Sequence, residues 1–329
     1  MSTEESPGGS PLCSVVVVTW NRRKELEPLL DSVFAQSLAA RLEVIVVDNA
    51  SSDDTIAFIR QKYGPRVRLL AFEANRGASV GRNAGILAAR APAICFLDSD
   101  AEILSPDAIG KCLAHLDANP GTDAVAAPIW FDREKTRPFL LGGYVTPDGH
   151  YHGISCRSRD DAPMLLSTCF AVWRRATLLE VNGFDPWYFW GIEDMDLGLR
   201  TYFRRRRQHA DAQPFAIVRG IDVLHEMADT GRHHDWKSFE QTFLRYERQR
   251  LYMVLAYGGV GHFLRVLLRG PFRLRRMEEA WERRLTPRQR LQATVLFPLL
   301  RLAALPKNFF DVRRNHLRGT PAPREVTDQ

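Results

Sequence analysis

Ala93-Ile94-Cys95-Phe96-Leu97, followed by Asp98-Ser99-Asp100, is the stretch on which the fold turns. An unbroken apolar run of this length reads as a strand buried on both faces, and the carboxylates mark where it leaves the core. The same pattern stands upstream in CSVVVVT (Cys13–Thr19) and LEVIVVD (Leu42–Asp48), and VRLLAF (67–72) supplies a further strand. Segments with helical periodicity, 22–36, 53–63 and 79–90, alternate with these runs. Such alternation implies an α/β fold with a parallel sheet and right-handed crossovers. Ligands of such sheets sit beyond the carboxyl ends of the strands. Thr19, Asn21, Asp48, Asn49, Asp98 and Asp100 all fall at those ends, so three crossovers are expected to converge on one crevice.

Downstream, 124–127 reads as another short strand, and Gly, Pro and aromatic residues over 129–163 predict irregular loops with short antiparallel strands. Helices are expected over 174–181 and 194–207. From Trp236 onward, amphipathic segments separated by Gly and Pro predict a C-terminal helical extension.

Composition narrows the classes. Of 329 residues, 45% are hydrophobic and 26% charged, which supplies a core and excludes a disordered or fibrous chain. Five cysteines without a CxxC pair argue against a disulfide scaffold and against a thiolate zinc site, and suit a reducing compartment. The opening MSTEESPGGSP has no basic segment followed by an apolar one, so residues 1–12 read as a disordered leader without a signal peptide. Residues 1–200 hold 20 Lys/Arg against 26 Asp/Glu, and residues 201–329 hold 25 against 13. The acidic front is unsuited to nucleic acid, whereas the basic rear fits either an anionic surface or ordinary solvation.

Asp98 and Asp100 sit at a sheet edge with their side chains expected on one side of an extended chain. Two carboxylates so placed suit a hard divalent cation, Mg2+ or Mn2+, bridging protein to a nucleotide diphosphate, although solvated Asp pairs are also common at strand ends. In DNASSD (48–53), Ser52 or Asp53 reads as a helix cap, while Asp48 can accept hydrogen bonds from a nucleobase imide or a ribose hydroxyl. Over 75–85 (NRGASVGRNAG) the glycines recur every fourth residue, which fails the dinucleotide fingerprint but lets a helix pack close to the sheet. Arg82 and Asn83 are expected to face the crevice. Glu193-Asp194 opens a helix, where carboxylates favour the positive N-terminal end. His225 follows a short apolar run and reads as structural or as a ligand, and Arg232, His233 and His234 as a surface turn or a cover over a pyrophosphate. Among the aromatics of FDPWYFW (184–190), at least one is expected to line a groove.

The motifs SVVVVTWNR, VIVVDNASSDDT, NRGASVGRNAGI, FLDSDAEI and FDPWYFWGIEDMDLGLR, in that order, resemble those of family 2 inverting glycosyltransferases with a GT-A-type fold, over about residues 13–230. The similarity is greatest to a rhamnosyltransferase-like branch. The resemblance implies a Rossmann-like, mostly parallel sheet flanked by helices. It also implies a nucleotide-diphosphate sugar donor held by Thr19, Asn21, Asp48 and Arg82, with Asp98 near the ribose and Asp100 on the metal. It further implies Asp194 as general base with Glu193 orienting the acceptor or backbone, and His225 completing the metal shell or touching the diphosphate. Asp196 is expected to face solvent or a structural partner.

These readings give a catalytic domain over 13–235, with a donor half 13–127 and an acceptor half 128–235, and a helical region over 236–329. The expected activity is metal-dependent, inverting hexosyl transfer from dTDP-rhamnose or a UDP-sugar to a glycan or lipid-linked acceptor in surface polysaccharide assembly. A nucleotidyltransferase would want a Gly-rich phosphate loop after the first strand, where TWNRRKE stands, and a non-catalytic sugar- or lipid-binding scaffold would need no metal ligands plus a base. The expected location is cytoplasmic, at the inner face of the plasma membrane if the rear helices are interfacial. The longest uncharged stretch there, 251–264, is 14 residues, short of the ~20 that span a bilayer. Its apolar faces suit either a membrane surface or packing on protein, including a second copy of the chain.

Overall fold

The computed structural model describes residues 9–147, 149–155, 162–189, 191–225, 249–259, 261–262, 286–287 and 320–326. Its strands are β1 (Cys13–Thr19), β2 (Leu42–Asp48), β3 (Val67–Ala71), β4 (Ala93–Asp98), β5 (Ala101–Ile103), β6 (Ala124–Ala126), β7 (Ile129–Trp130), β8 (Leu140–Val145), β9 (Tyr151–Ser155), β10 (Leu165–Leu166), β11 (Phe170–Arg174), β12 (Phe215–Ile217), β13 (Val223–His225) and β14 (Arg324–Glu325). The helices are α1 (Arg23–Phe34), α2 (Thr55–Tyr63), α3 (Gly77–Ala88), α4 (Ala108–Ala118), α5 (Arg175–Glu180) and α6 (Glu193–Gln208).

The main sheet runs β12-β6-β11-β4-β1-β2-β3-β14. β4, β1, β2 and β3 are mutually parallel, as their helical crossovers require. β11 inserts antiparallel between β4 and β6, and β14 caps the other edge antiparallel to β3. The sheet is therefore mixed, with a parallel centre. The β-branched runs bury both faces: Val15 and Val17 of β1 join Leu26, Leu29 and Val33 of α1 on one side, and Val16 joins Val80, Ala84 and Ile86 of α3 on the other.

The glycines of α3 set how close that helix lies. A Cβ on Gly81 would stand 2.7 Å from Val18 Cγ1, and one on Gly85 2.3 Å from Val16 Cγ1. Glycine at this spacing thus removes the bulk that would hold the helix off β1.

A second, three-stranded sheet has the order β5-β13-β7. β5 leaves β4 through a turn at Ser99-Asp100 and pairs antiparallel with β13, with His225 opposite Ala101. The two aspartates are thus separated by a turn, not aligned along an extended chain as expected.

The chain divides into two compact units, one of Met1–Tyr144, Gly153–Ala228 and Asn315–Gln329, the other of Val145–His152 and Asp229–Arg314. Within the second unit, residues 249–259 are helical and Leu251, Met253, Val254 and Leu255 are buried. Gly149 there adopts φ +79°, and a Cβ on it would lie 2.5 Å from Val254 Cγ2. Val254 of the rear segment therefore packs against Gly149 within this unit. No helix among the described residues is long and apolar enough to cross a membrane. The amphipathic stretches over 263–285 and 288–319, the leader 1–8, Trp190 and the residues Arg232, His233 and His234 lie outside the described residues.

Candidate active site

The register of the parallel centre builds the floor of the site. Thr19 pairs with Asp48, and Val18 with Asp98, so the ends of β2, β1 and β4 lie side by side. Thr19 and Asp48 are fully buried, and Thr19 Oγ1 and Asp48 Oδ1 have no hydrogen-bond partner among the described residues. Asp48 Oδ2 accepts from the Ser51 amide at 2.9 Å. Burial pushes the Asp48 carboxyl above its usual range, with the Ser51 bonds opposing. A buried acceptor left open is costly, and a ligand N–H or O–H would relieve that cost.

Asn21 has left-handed backbone, φ 53°. It bridges loops: its Oδ1 accepts from the Ser52 amide at 2.8 Å, and its own amide donates to Ser51 Oγ at 2.8 Å. Asn21 thereby locks the loop after β1 to the loop after β2. Asp54, not Ser52 or Asp53, occupies the N-cap position of α2, while Asp53 Oδ1 accepts from the Thr55 amide at 3.1 Å.

Arg82 is the hub. Its Nη1 donates to Glu193 Oε1 at 2.6 Å, across 111 residues of chain, and its Nη2 to Asp98 Oδ1 at 2.9 Å, joining the end of β4 to the start of α6. Burial opposes the charge of Arg82, but Glu193 and Asp98 more than compensate and hold it protonated. Asn83, expected beside it in the crevice, is instead fully buried and clamps Phe184, donating to its carbonyl and accepting from its amide, each at 2.8 Å. Two successive helix positions cannot share one face, so the packing of α3 on β1 sends Arg82 to the site and Asn83 to the 184–189 segment.

Glu193 and Asp194 begin α6 just after Gly191 and Ile192, both at positive φ. Burial lifts the Glu193 carboxyl to about 7; Arg82 pulls it down and Asp194 pushes it up. Asp194 is also raised by burial, with Arg82 opposing, and its Oδ1 accepts from the Met195 amide at 2.8 Å. Asp194 is the more exposed of the two. Asp196 is buried and paired with Arg200 at 2.8 Å, a structural partner and not a solvated charge.

On the other side of Asp98, His225 Nε2 lies 3.1 Å from Asp100 Oδ1 and 3.9 Å from Asp98 Oδ2. Burial works against a charged imidazole here, yet Cys169 and the Asp100 and Asp98 carboxylates raise its pKa to about 11. Asp100 is lowered: burial would raise it, but His225 and Arg22, whose Nη1 is 3.8 Å away, prevail. His225 Nδ1 is buried with no hydrogen-bond partner among the described residues. A set of two carboxylates and an imidazole whose Nε2 faces them suits a divalent cation. Cys169 belongs to this cluster too, its Sγ lying within 4.8 Å of donor atoms of Asp98 and His225. Chain spacing gave no sign of it, because it arrives on the antiparallel insertion ahead of β11.

Of the aromatic segment, Phe184 and Tyr188 are buried, while Phe189 is 49% exposed. The Phe189 carbonyl accepts from the Ala78 amide at 2.8 Å. Ser79 Oγ donates to the Tyr188 carbonyl at 2.5 Å. The segment is thus pinned to the start of α3 beside the site.

The site thus combines, on a mixed sheet with a parallel centre, open buried acceptors at the strand ends and a carboxylate–imidazole cluster beside a carboxylate pair. Residues 14–178 match the family model of glycosyl transferase family 2, and the chain belongs to that family. Succinoglycan biosynthesis protein ExoO of Rhizobium meliloti is 39% identical over 108 residues, covering 33% of this chain and 30% of its own. The chain thus spans under half the length of that relative. The mannosyltransferase PcManGT of Pyrobaculum calidifontis, in complex with GDP-Man and Mn2+, superposes with a TM-score of 0.54 at 17% identity, over 96% of this chain and 87% of that one. TarS 1–349 of S. aureus, in complex with UDP-GlcNAc, also gives 0.54, at 15% identity over 94% and 89%. These likenesses establish the GT-A-like α/β fold.

Proposed function

We propose that this chain transfers a sugar from a nucleotide-diphosphate donor to a hydroxyl of a glycan or lipid-linked acceptor, with inversion at the anomeric carbon and with Mg2+ or Mn2+. The observation that carries this reading is the Arg82 bridge. It sets the Asp98–Asp100–His225 cluster on one side and the Glu193–Asp194 pair on the other, one for a diphosphate and one for an acceptor. In support, the superposed mannosyltransferase is in complex with GDP-Man and Mn2+, and TarS with UDP-GlcNAc. ExoO is named for succinoglycan biosynthesis, which favours a surface polysaccharide as the product class. None of these relatives favours a rhamnosyl donor over another hexose, so the donor is left at the class of nucleotide-diphosphate sugars.

Thr19 and Asp48 meet the nucleoside, their open oxygens accepting from a base imide or ribose hydroxyl, while Asn21 holds the loops around it. Asp98, Asp100 and His225 hold the cation, which when bound neutralises charge on the leaving diphosphate. Asp194 takes the proton of the acceptor hydroxyl as that oxygen attacks the anomeric carbon from the face opposite the diphosphate. Glu193, tied to Arg82, fixes the start of α6 and so the aim of Asp194. Exposed Phe189 offers a flat face for the acceptor sugar. A thermal-shift screen of UDP-, dTDP- and GDP-sugars with and without Mn2+ tests the reading. A stabilising, metal-dependent response to one nucleotide class is expected, and no response to any would refute it.

A further inference from the structure

The cluster beside Asp98 holds a sulfur atom that hexosyl transfer does not use. Cys169 is 1% exposed, and its Sγ, an Asp98 carboxylate oxygen and a His225 ring nitrogen all lie within 4.8 Å of one another. In tetrahedral geometry, metal–sulfur bonds of ~2.3 Å and metal–nitrogen or –oxygen bonds of ~2.0–2.2 Å place two donors ~3.3–3.7 Å apart, so a contraction of at most about 1.5 Å closes the set on one ion. Two further facts point the cluster at a ligand. His225 is 7% exposed and its Nδ1 lacks a partner among the described residues, and the Phe139 ring packs edge-on against the imidazole at 4.9 Å between centroids, fixing its orientation. Thiol and imidazole together favour zinc-class ions, whereas carboxylates alone favour Mg2+ or Mn2+.

We propose that Cys169 gives this site a sulfur ligand, so that a zinc-class cation binds through Cys169, His225 and Asp98 in competition with the hard ion. The proposal rests on the reading that Asp98, Asp100 and His225 hold a divalent cation. On binding, the Cys169 S–H bond breaks, its proton passes to solvent and the sulfur lone pair forms the metal bond. The hard ion needs only the oxygen donors and His225, so the thiol acts as a filter that lets trace zinc displace it.

The test uses the full-length protein with Co2+ as a spectroscopic stand-in for zinc, Zn2+ competition, and Mn2+ binding followed by the spin resonance of the free ion in the presence of UDP, GDP and dTDP in turn. The wild type is expected to develop a sulfur-to-cobalt charge-transfer band in the near ultraviolet that saturates at one equivalent and that Zn2+ abolishes. Cys169→Ser should lose the band and bind Zn2+ more weakly by at least the ~10-fold that loss of an outer hydrogen-bond partner already costs a metal site. Its Mn2+ affinity should change less than its Zn2+ affinity. Mn2+ binding without the cobalt band, or a band that survives in Cys169→Ser, overturns the sulfur ligand alone. Failure of Mn2+, Co2+ and Zn2+ alike overturns the metal reading and this proposal with it.

Discussion

Replacing Arg82 by Met tests the hub directly, because the change keeps the length of the side chain and removes the cation. Glu193 then stays at 8% side-chain exposure with no opposite charge against it, whereas Asp98, at 30%, is partly relieved by water. Breaking a buried pair by deleting one partner costs ~3–5 kcal/mol when the survivor stays ionised. Glu193 need not stay ionised. Its carboxyl sits at about 7 with Arg82 present, and removing an opposite charge at this range raises a carboxyl by ~1–3 units.

The sign follows. A carboxyl whose folded pKa lies above its unfolded value gives stability that is fully present below the unfolded pKa, is lost as pH rises to the folded pKa, and changes no further above it. Wild type and variant differ between about 7 and the higher pKa of the variant, and each unit of that gap is worth ~1.36 kcal/mol. With a gap of ~2 units, the deficit of Arg82→Met shrinks by ~2.7 kcal/mol as pH falls from 9 to 7. Urea unfolding at the two pH values measures it. Adding Glu193→Gln should recover most of the loss at pH 9. An equal deficit at both pH values, together with a double variant no more stable than the single one, would refute the assignment of Arg82 as the counter-charge of a buried Glu193.

Other expectations follow from the same geometry. Asp194→Asn should keep donor affinity and lower kcat by ~100-fold or more, as loss of a general base does; the larger loss falling on Glu193→Gln would move the base to Glu193. Asp100→Ala should abolish the Mn2+ enhancement of nucleotide binding seen by calorimetry, and full turnover in excess EDTA would contradict the metal reading. Because burial holds Glu193 at about 7 and raises Asp194 too, kcat should fall as pH drops below ~7, where the pair takes up a proton; a flat profile from pH 8 to 5.5 would count against a carboxylate base. Gly85→Ala should destabilise by ~1–3 kcal/mol less the ~0.5–1 kcal/mol that Ala gains in a helix, measured by urea unfolding, since its Cβ would meet Val16 Cγ1 at 2.3 Å.

The parallel centre of the fold was legible in the sequence because its strands are buried on both faces. CSVVVVT, LEVIVVD and AICFLD carry no alternation, and the strands begin and end where those runs do. The strand-end residues Thr19, Asp48 and Asp98 follow from the same rule, since a parallel sheet brings the ends of its strands together whatever the detail of packing. The close glycine packing of α3 was also readable from a four-residue spacing.

What sequence could not reach is set by contacts between distant parts of the chain. β11 runs antiparallel between β4 and β6, and no local pattern distinguishes that from one more parallel strand. That insertion delivers Cys169 to the side of Asp98 and His225, although the sequence, lacking a CxxC pair, argues against a sulfur site. The turn after Asp98 sends β5 into a second sheet, and the pairing of Ala101 with His225 brings the imidazole to Asp100 across 125 residues of chain. Helical spacing offered Arg82 and Asn83 alike to the crevice, and only the seating of α3 on β1 chose Arg82 and gave Asn83 to Phe184. Local chemistry therefore decides which residues stand at strand ends, while the partner each side chain meets is a property of the packed sheet, because hydrogen bonds and ion pairs of a few ångströms are fixed only once distant segments share one surface.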